Sequence, residues 1–319
     1  MGHDERLTVF WVVHLALLGL FCLELLFVLS VWLKARVPGL PADAPRRRKL
    51  GAALRFAAGL VFSRRVGALL RALVVDGIVH RRLFRTDARR WAVHMTVFGS
   101  WLALGLLSTL TGVVVEVLPL LGMNPEAVAS IPLFGQLFHA DVWWVALLNE
   151  ILGLLVIAGM LLVITRRYIR KDPNQRTMPA DSIVIGLLTI IALGGFLAES
   201  LRLLADYVTA SGVLSPDPAM ISPERLPPAL YDPWGPQWGF VGYLLASLLG
   251  ALRLSASTWQ GAYTVVFWLH FATVSALLFT LPFSRFFHVI MSPVIVAYNT
   301  MKAQQARGTP RGGLTRGQP

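Results

Sequence analysis

Cysteine is nearly absent: Cys22 is the one thiol in 319 residues. A single thiol excludes an internal disulfide, a thiolate-held iron–sulfur cluster and the C-x-x-C-H attachment of covalent haem. Any iron bound by this chain therefore depends on its seven histidines. Negative charge is scarce as well, with 17 Asp and Glu against 29 Lys and Arg and a formal net charge of +12. Charged residues of both signs make up only 14% of the chain, while 55% is hydrophobic and the mean hydropathy is +0.63. So little polarity cannot cover a soluble domain, and the composition is that of an integral membrane protein. No internal repeat stands out, which argues against a solenoid.

Apolar runs long enough to cross a bilayer occupy 7–33, 92–118, 143–165, 183–205 and 261–284, predicting an all-α integral membrane fold with a five-helix bundle. Two shorter apolar pieces, 66–79 and 239–252, fit interfacial or re-entrant helices rather than crossings. Positions 66, 69, 70, 73 and 77 form an apolar stripe, so the first piece reads as a helix on the membrane surface where a partner could dock. Lys and Arg number fifteen in 34–93, five in 166–176 and five from Arg285 onward, against none in 119–142 and two in 206–260. The alternation places the basic segments and the C-terminus in the cytoplasm and the N-terminus outside, in a prokaryotic cytoplasmic membrane. The positive charge is topology, not a nucleic-acid footprint. The first run is long, follows acidic Asp4 and Glu5 and lacks a small-residue cleavage site, so it is expected to stay as a helix. The tail 301–319, rich in Gly, Pro and Arg, is expected to be disordered.

Histidines pair by depth. His270 and His288 stand eighteen residues apart in FWLHFATVSALLFTLPFSRFFHVI, residues 267–290. On one helix that is five turns, so both rings share a face about 27 Å apart, nearly a bilayer core. His94 lies near the cytoplasmic end of the second run, level with His288; His14 lies in the first run, level with His270. Non-covalent b-type haem held by two imidazoles is one use of such pairs, and a packed, hydrogen-bonded histidine is the plainer reading of any single ring. His139 sits nearer the outer surface, His3 is terminal, and His80 lies in the basic segment where an exposed ring is expected.

Polar residues inside the runs are the other candidates, because a carboxylate at mid-membrane is unfavourable by roughly 2.5–3.5 kcal/mol. Glu24, Glu150 and Glu199 qualify. Glu199 and Arg202 are three apart and face the same way, suited either to accepting a proton from a quinol or to a structural ion pair. Glu150, level with His270, would line the same cavity or rest as a buried hydrogen-bonded carboxyl, whereas Glu24 is not favoured. Arg89, Arg90 and Arg285 flank the inner histidines where anionic haem propionates would emerge, although topology alone also puts arginines there.

The stretch LHFATVSALLFTLPFSRFFHVIMSPV resembles the last transmembrane helix of the cytochrome b gamma subunit of respiratory nitrate reductase, in its L-H, F-x-x-P-F-S-R-x-x-H and P-V elements. Weaker similarity continues in ADSIVIGLL and TRRYIR, so that the likeness covers roughly 90–300. It implies haem ligation at His270 and His288, with His94 as the partner of His288. The pattern's second-helix histidine for the outer haem falls at 104, which is Leu here, leaving His14 as the candidate partner of His270. The segment LLRALVVDGIVHRRLFRTDARRWAVH is more similar to the membrane subunits of heterodisulfide-reductase-type and sulfite-reduction-associated complexes. These resemblances imply one or two haems b, a quinone such as menaquinone, and a cytoplasmic iron–sulfur partner subunit. The expected organisation is an outer N-terminus and first span over 1–33, a basic cytoplasmic segment over 34–91, a haem-binding bundle over 92–300 and the tail. A haem-free anchor for a soluble oxidoreductase, or a proton-coupled transporter relaying through Glu24 and Glu150, are the competing readings.

Overall fold

The computed structural model describes residues 3–34, 40–41, 43–62, 66–132, 135, 142–171, 178–207, 235–284, 287, 291–292, 295–296 and 299. The described residues form helices and no strand. Among them five helices are long and apolar enough to cross a membrane: Thr8–Trp32, Ala88–Leu120, Trp143–Ile169, Pro179–Tyr207 and Ala256–Phe283. They coincide with the five apolar runs, and the chain is a multi-pass membrane protein. Several run past the apolar stretch, because polar ends continue the backbone ladder into the headgroup region, in two cases through a π turn, at Val113–Val117 and at Thr165–Ile169. The expected disorder of 301–319 falls outside the described residues.

The chain divides into two compact units, residues 1–88 with 278–319 and residues 89–277. The first unit holds α1 (His3–Trp32), α2 (Arg46–Val61), α3 (Val66–Ala72) and α4 (Arg81–Thr86). Leu15, Leu23, Leu26 and Phe27 of α1 are exposed, as expected of a helix apolar on all sides and surrounded by lipid. At its end Trp32 meets Phe287 edge-on, with centroids 5.5 Å apart. The expected surface helix at 66–79 forms as α3 running into a π turn at Leu73–Ile78, with Val66, Leu70 and Val74 exposed. His80 turns the chain into α4 with left-handed φ of 53°, and its Nδ1 lies 2.8 Å from the Ile78 carbonyl oxygen. Asp76 and Arg81 pair across that turn at 3.3 Å.

The second unit holds α5 (Ala88–Gly112), α6 (Trp143–Ile164), α7 (Pro179–Tyr207), α8 (Phe240–Gly250) and α9 (Ala256–Thr280). Lipid is as apolar as leucine, so these helices associate through close packing and internal polar contacts rather than hydrophobic burial. Gly159 of α6 shows the close approach: a Cβ there would lie 3.2 Å from the Val97 backbone nitrogen of α5. The TRRYIR and ADSIVIGLL segments meet each other. Arg167 pairs with buried Asp181 at 3.2 Å, and the Tyr168 hydroxyl lies 2.6 Å from Ser182 Oγ. These contacts staple α6 to α7 beside the basic connection.

The short helix α8 covers no full crossing. It lays Gly242, Ala246 and Gly250, spaced by four, toward α7 and turns Phe240, Leu244 and Leu248 outward. Leu201, Leu203, Leu204, Tyr207, Ala246 and Trp259 form the buried core where α7, α8 and α9 meet.

Candidate functional site

Inside the second unit, α5, α6, α7 and α9 enclose a chamber of about 430 Å³, closed at one end by the turn into α8. Its wall on α7 runs from Leu188 to Glu199, a rise of about 16 Å, so the space is elongated along the bundle. Val156, Leu188, Trp101 and Val274 make one part apolar, while Asn149, Glu150 and Glu199 supply polar groups to the lining.

Glu150 is only 4% exposed yet fully engaged. Its Oε2 accepts from the Val241 N–H and its Oε1 from the Gly242 N–H, each at 3.2 Å. Those donors are orphan N–H groups in the first turn of α8, whose N-cap residue Gly239 has no side chain to satisfy them. A carboxylate from another helix thus does the capping, where the helix dipole also favours negative charge. We expect Glu150→Ala to destabilise the detergent-solubilised protein by about 2 kcal/mol, since two buried donors lose a charged acceptor. Glu150→Gln, which keeps one acceptor oxygen, should lose less; equal thermal midpoints for wild type and Glu150→Ala would overturn the capping role.

Glu199 stands beside the same turn. A Cβ on Gly239 would lie 3.6 Å from Glu150 Oε1 and 3.8 Å from Glu199 Oε1, and a Cβ on Gly242 would lie 2.7 Å from Glu199 Cγ. Only glycine at 242 leaves room for this approach. Arg202 grips Glu199 with both faces of its fork, Nε to Oε2 at 3.0 Å and Nη2 to Oε1 at 2.8 Å. Its Nη1 also lies 3.7 Å from Asp206 Oδ2, one turn further along α7. Glu199, Arg202 and Asp206 share one helix face at spacings of three and four.

His270 of α9 lines the chamber midway along α7. Its Nδ1 is buried without a hydrogen-bond partner. A Cβ on Gly194 would come within 3.0 Å of that nitrogen, so the glycine pair Gly194 and Gly195 is what lets the imidazole sit against the α7 backbone. Along α7, Gly194 and Glu199 are separated by a rise of about 7.5 Å.

The structure thus brings Glu150, Glu199 and His270 to one chamber, with Arg202 held against Glu199. His94 lies on α5, seven residues before Trp101 of the chamber lining, or about 10 Å along the axis. Its Nε2 is fully buried and its ring stacks on Phe98, with centroids 5.3 Å apart and planes 11° from parallel. Arg89 and Arg90 are exposed in the first turn of α5. His14 belongs to the first unit, where it stacks on Phe10 at 5.5 Å and meets Trp11 edge-on at 5.8 Å. His288, Arg285 and His139 lie outside the described residues. Sequence reasoning missed Asp206, although its i+4 spacing from Arg202 was a usable signal, and it missed the small-residue face of α8, legible in the spacing of Gly242, Ala246 and Gly250.

Comparison with known proteins adds a family likeness. Residues 70–220 match the family model HdrE, which describes membrane-type subunits of Dihydromethanophenazine:CoB–CoM heterodisulfide reductase. Among curated proteins, the chain is 27% identical over 134 residues to the HdrE protein of Methanosarcina thermophila, covering 42% of this chain and 47% of that one. To its counterpart from Methanosarcina barkeri it is 23% identical over 159 residues, covering 50% and 55%. The chain spans about half the length of the curated relatives it matches. No solved structure matches it. The matched stretch holds His94, Glu150, Glu199, Arg202 and Asp206, and ends before His270.

Proposed function

We propose that this chain is a membrane cytochrome b subunit that passes electrons from a lipid-soluble aromatic carrier, of the quinol or dihydrophenazine class, to an iron–sulfur subunit on the cytoplasmic side. The observation that carries this reading is the chamber. It is elongated, largely apolar and open to two polar groups, His270 and Glu199, whose levels on α7 differ by about 7.5 Å. A flat ring with polar atoms at opposite edges suits that separation, and the apolar part suits the start of a lipid tail. Menaquinone and a phenazine both have this chemistry, and the relatives' name includes the second.

The carrier delivers electrons to haem b. His94 fits an axial ligand: its Nε2 is shielded from solvent and Phe98 fixes the ring plane. His288 is the proposed second ligand, with Arg89, Arg90 and Arg285 toward the propionates. A haem bound there supplies a one-electron relay. The chamber itself suits a haem less well, because Leu104, Gly105 and Ser108 of α5 face it and the lining contains no imidazole besides His270. His270 is therefore assigned to the carrier, donating or accepting a hydrogen bond at one edge of the ring. Glu199, held by Arg202, accepts the proton released at the other edge. Glu150 acts as a positioning residue by fixing the turn that closes the chamber. The basic segments face the cytoplasm, where the surface helix at 66–79 meets the partner.

The test is a reduced-minus-oxidised visible spectrum of the purified chain, followed by the rate at which a quinol or dihydrophenazine analogue reduces it. A b-type signal reduced by the analogue is expected. Glu199→Gln should slow that reduction by about a hundredfold, within the range of general-base contributions, while dithionite still reduces the haem fully. A haem-free chain would leave the anchor or transporter reading instead.

A further inference from the structure

Of the three carboxylates in this part of the second unit, Glu199 and Asp206 contact the Arg202 guanidinium, while Glu150 and Glu199 line the chamber. Glu150 is committed to the α8 backbone. Glu199 is the carboxylate that both lines the chamber and contacts the arginine. Asp206 contacts the same arginine from the far side, about 10 Å further along α7 than Glu199 and one residue from the helix end at Tyr207. Its side chain is 11% exposed, and that of Glu199 is 33% exposed. The geometry is unequal: Glu199 receives two short, forked hydrogen bonds, whereas Asp206 sits at 3.7 Å. One arginine cannot hold both carboxylates by its fork at once.

We propose that Asp206 is the exit residue for protons released in the chamber, working with Arg202 as an alternating clamp. This assignment rests on the reading of the chamber as a carrier site. In the resting arrangement Arg202 holds Glu199 as an anion ready to accept. The reduced carrier gives up two electrons, singly, to the one-electron haem acceptor and two protons, one at a time, to Glu199. Once Glu199 is neutral it no longer holds the guanidinium, which turns to Asp206. The proton then passes from Glu199 to Asp206 and from Asp206 to water at the end of α7, restoring Glu199 for the second proton. No charge accumulates in the bundle, because each proton leaves before the next is taken. The titratable groups on the elements packed around this path are Glu150 of α6, Tyr243 of α8 and His270 of α9. Glu150 is fixed as the cap, Tyr243 packs against the Leu203 and Leu204 core, and His270 lies at the opposite edge of the carrier.

The experiment uses the full chain with its haem in proteoliposomes. Reduction by a quinol analogue is followed over a range of pH for wild type, Asp206→Asn and Asp206→Glu, with haem content checked by dithionite and carboxyl protonation followed by redox-induced infrared difference spectra. Asp206→Asn should lower kcat by about tenfold or more with KM nearly unchanged, and should flatten the rise of rate with pH. Asp206→Glu should restore both, and one protonated-carboxyl band should be missing only in the asparagine variant. Wild-type kcat and pH profile in Asp206→Asn overturn the assignment, as does a loss that Asp206→Glu fails to rescue, which marks a structural role. If Asp206→Asn does not assemble, the pH profile and band position of Asp206→Glu decide, since an exit residue shifts both and a spectator shifts neither. A wild-type haem reducible by dithionite but by no carrier analogue overturns the chamber reading itself and is distinct from these results.

Discussion

Replacing His94 with alanine is expected to abolish a low-spin b-type haem spectrum while leaving the chain in the membrane. The helix bearing His94 does not depend on the imidazole for its formation, since α5 is held by its length, its apolar surface and the close approach of Gly159 to Val97. Loss of one axial ligand, by contrast, removes the bond that fixes the iron's spin state and much of the affinity for a non-covalent haem. His288→Ala should give the same result, because a two-imidazole site fails with either partner missing. The plainer reading, a packed histidine beside Phe98, makes the opposite prediction: slight destabilisation and an unchanged spectrum. Spectra of both variants at equal membrane yield separate the two, and an unchanged spectrum in both would remove the ligand assignment.

What could be read without the structure follows from the range of each interaction. The five spans were legible because hydropathy sums over about twenty neighbouring residues, and no tertiary contact is needed to know that such a run is apolar. Glu150 was legible as a buried carboxylate, but not as a helix cap, because its partners are backbone N–H groups 91 and 92 residues away that carry no side-chain signature. Asp206 was lost for a local reason. The apolar run ends at 205, so Asp206 was assigned to the outer segment, whereas the helix continues through Tyr207 with Asp206 in reach of Arg202. The face of α8 escaped because Gly242, Ala246 and Gly250 add little to hydropathy, and their value lies in what they allow to come close. Gly194 and Gly195 escaped likewise, since only the position of the His270 ring reveals their use.

The haem count decides between two uses of His270 that exclude each other. As a ligand paired with His14 it would hold a second, outer haem; as a wall of the chamber it would hold the carrier. A single haem at the His94 level does not leave the carrier stranded, because the chamber begins at Trp101, about 10 Å along α5 from His94, rather than at the full separation of about 27 Å between the His270 and His288 levels. One haem per chain is therefore expected in wild type, in His14→Ala and in His270→Ala, with carrier-driven reduction lost by about a hundredfold in the last and dithionite reduction retained. Leu104→His offers the converse test. Leu104 and His270 line the same chamber, so an imidazole at 104 would face the space from the α5 side. That variant should take up additional haem at the expense of carrier oxidation, since both ligands compete for one volume. Two haems in wild type, falling to one in both His14→Ala and His270→Ala, would instead establish the paired outer ligands and displace the carrier from the chamber.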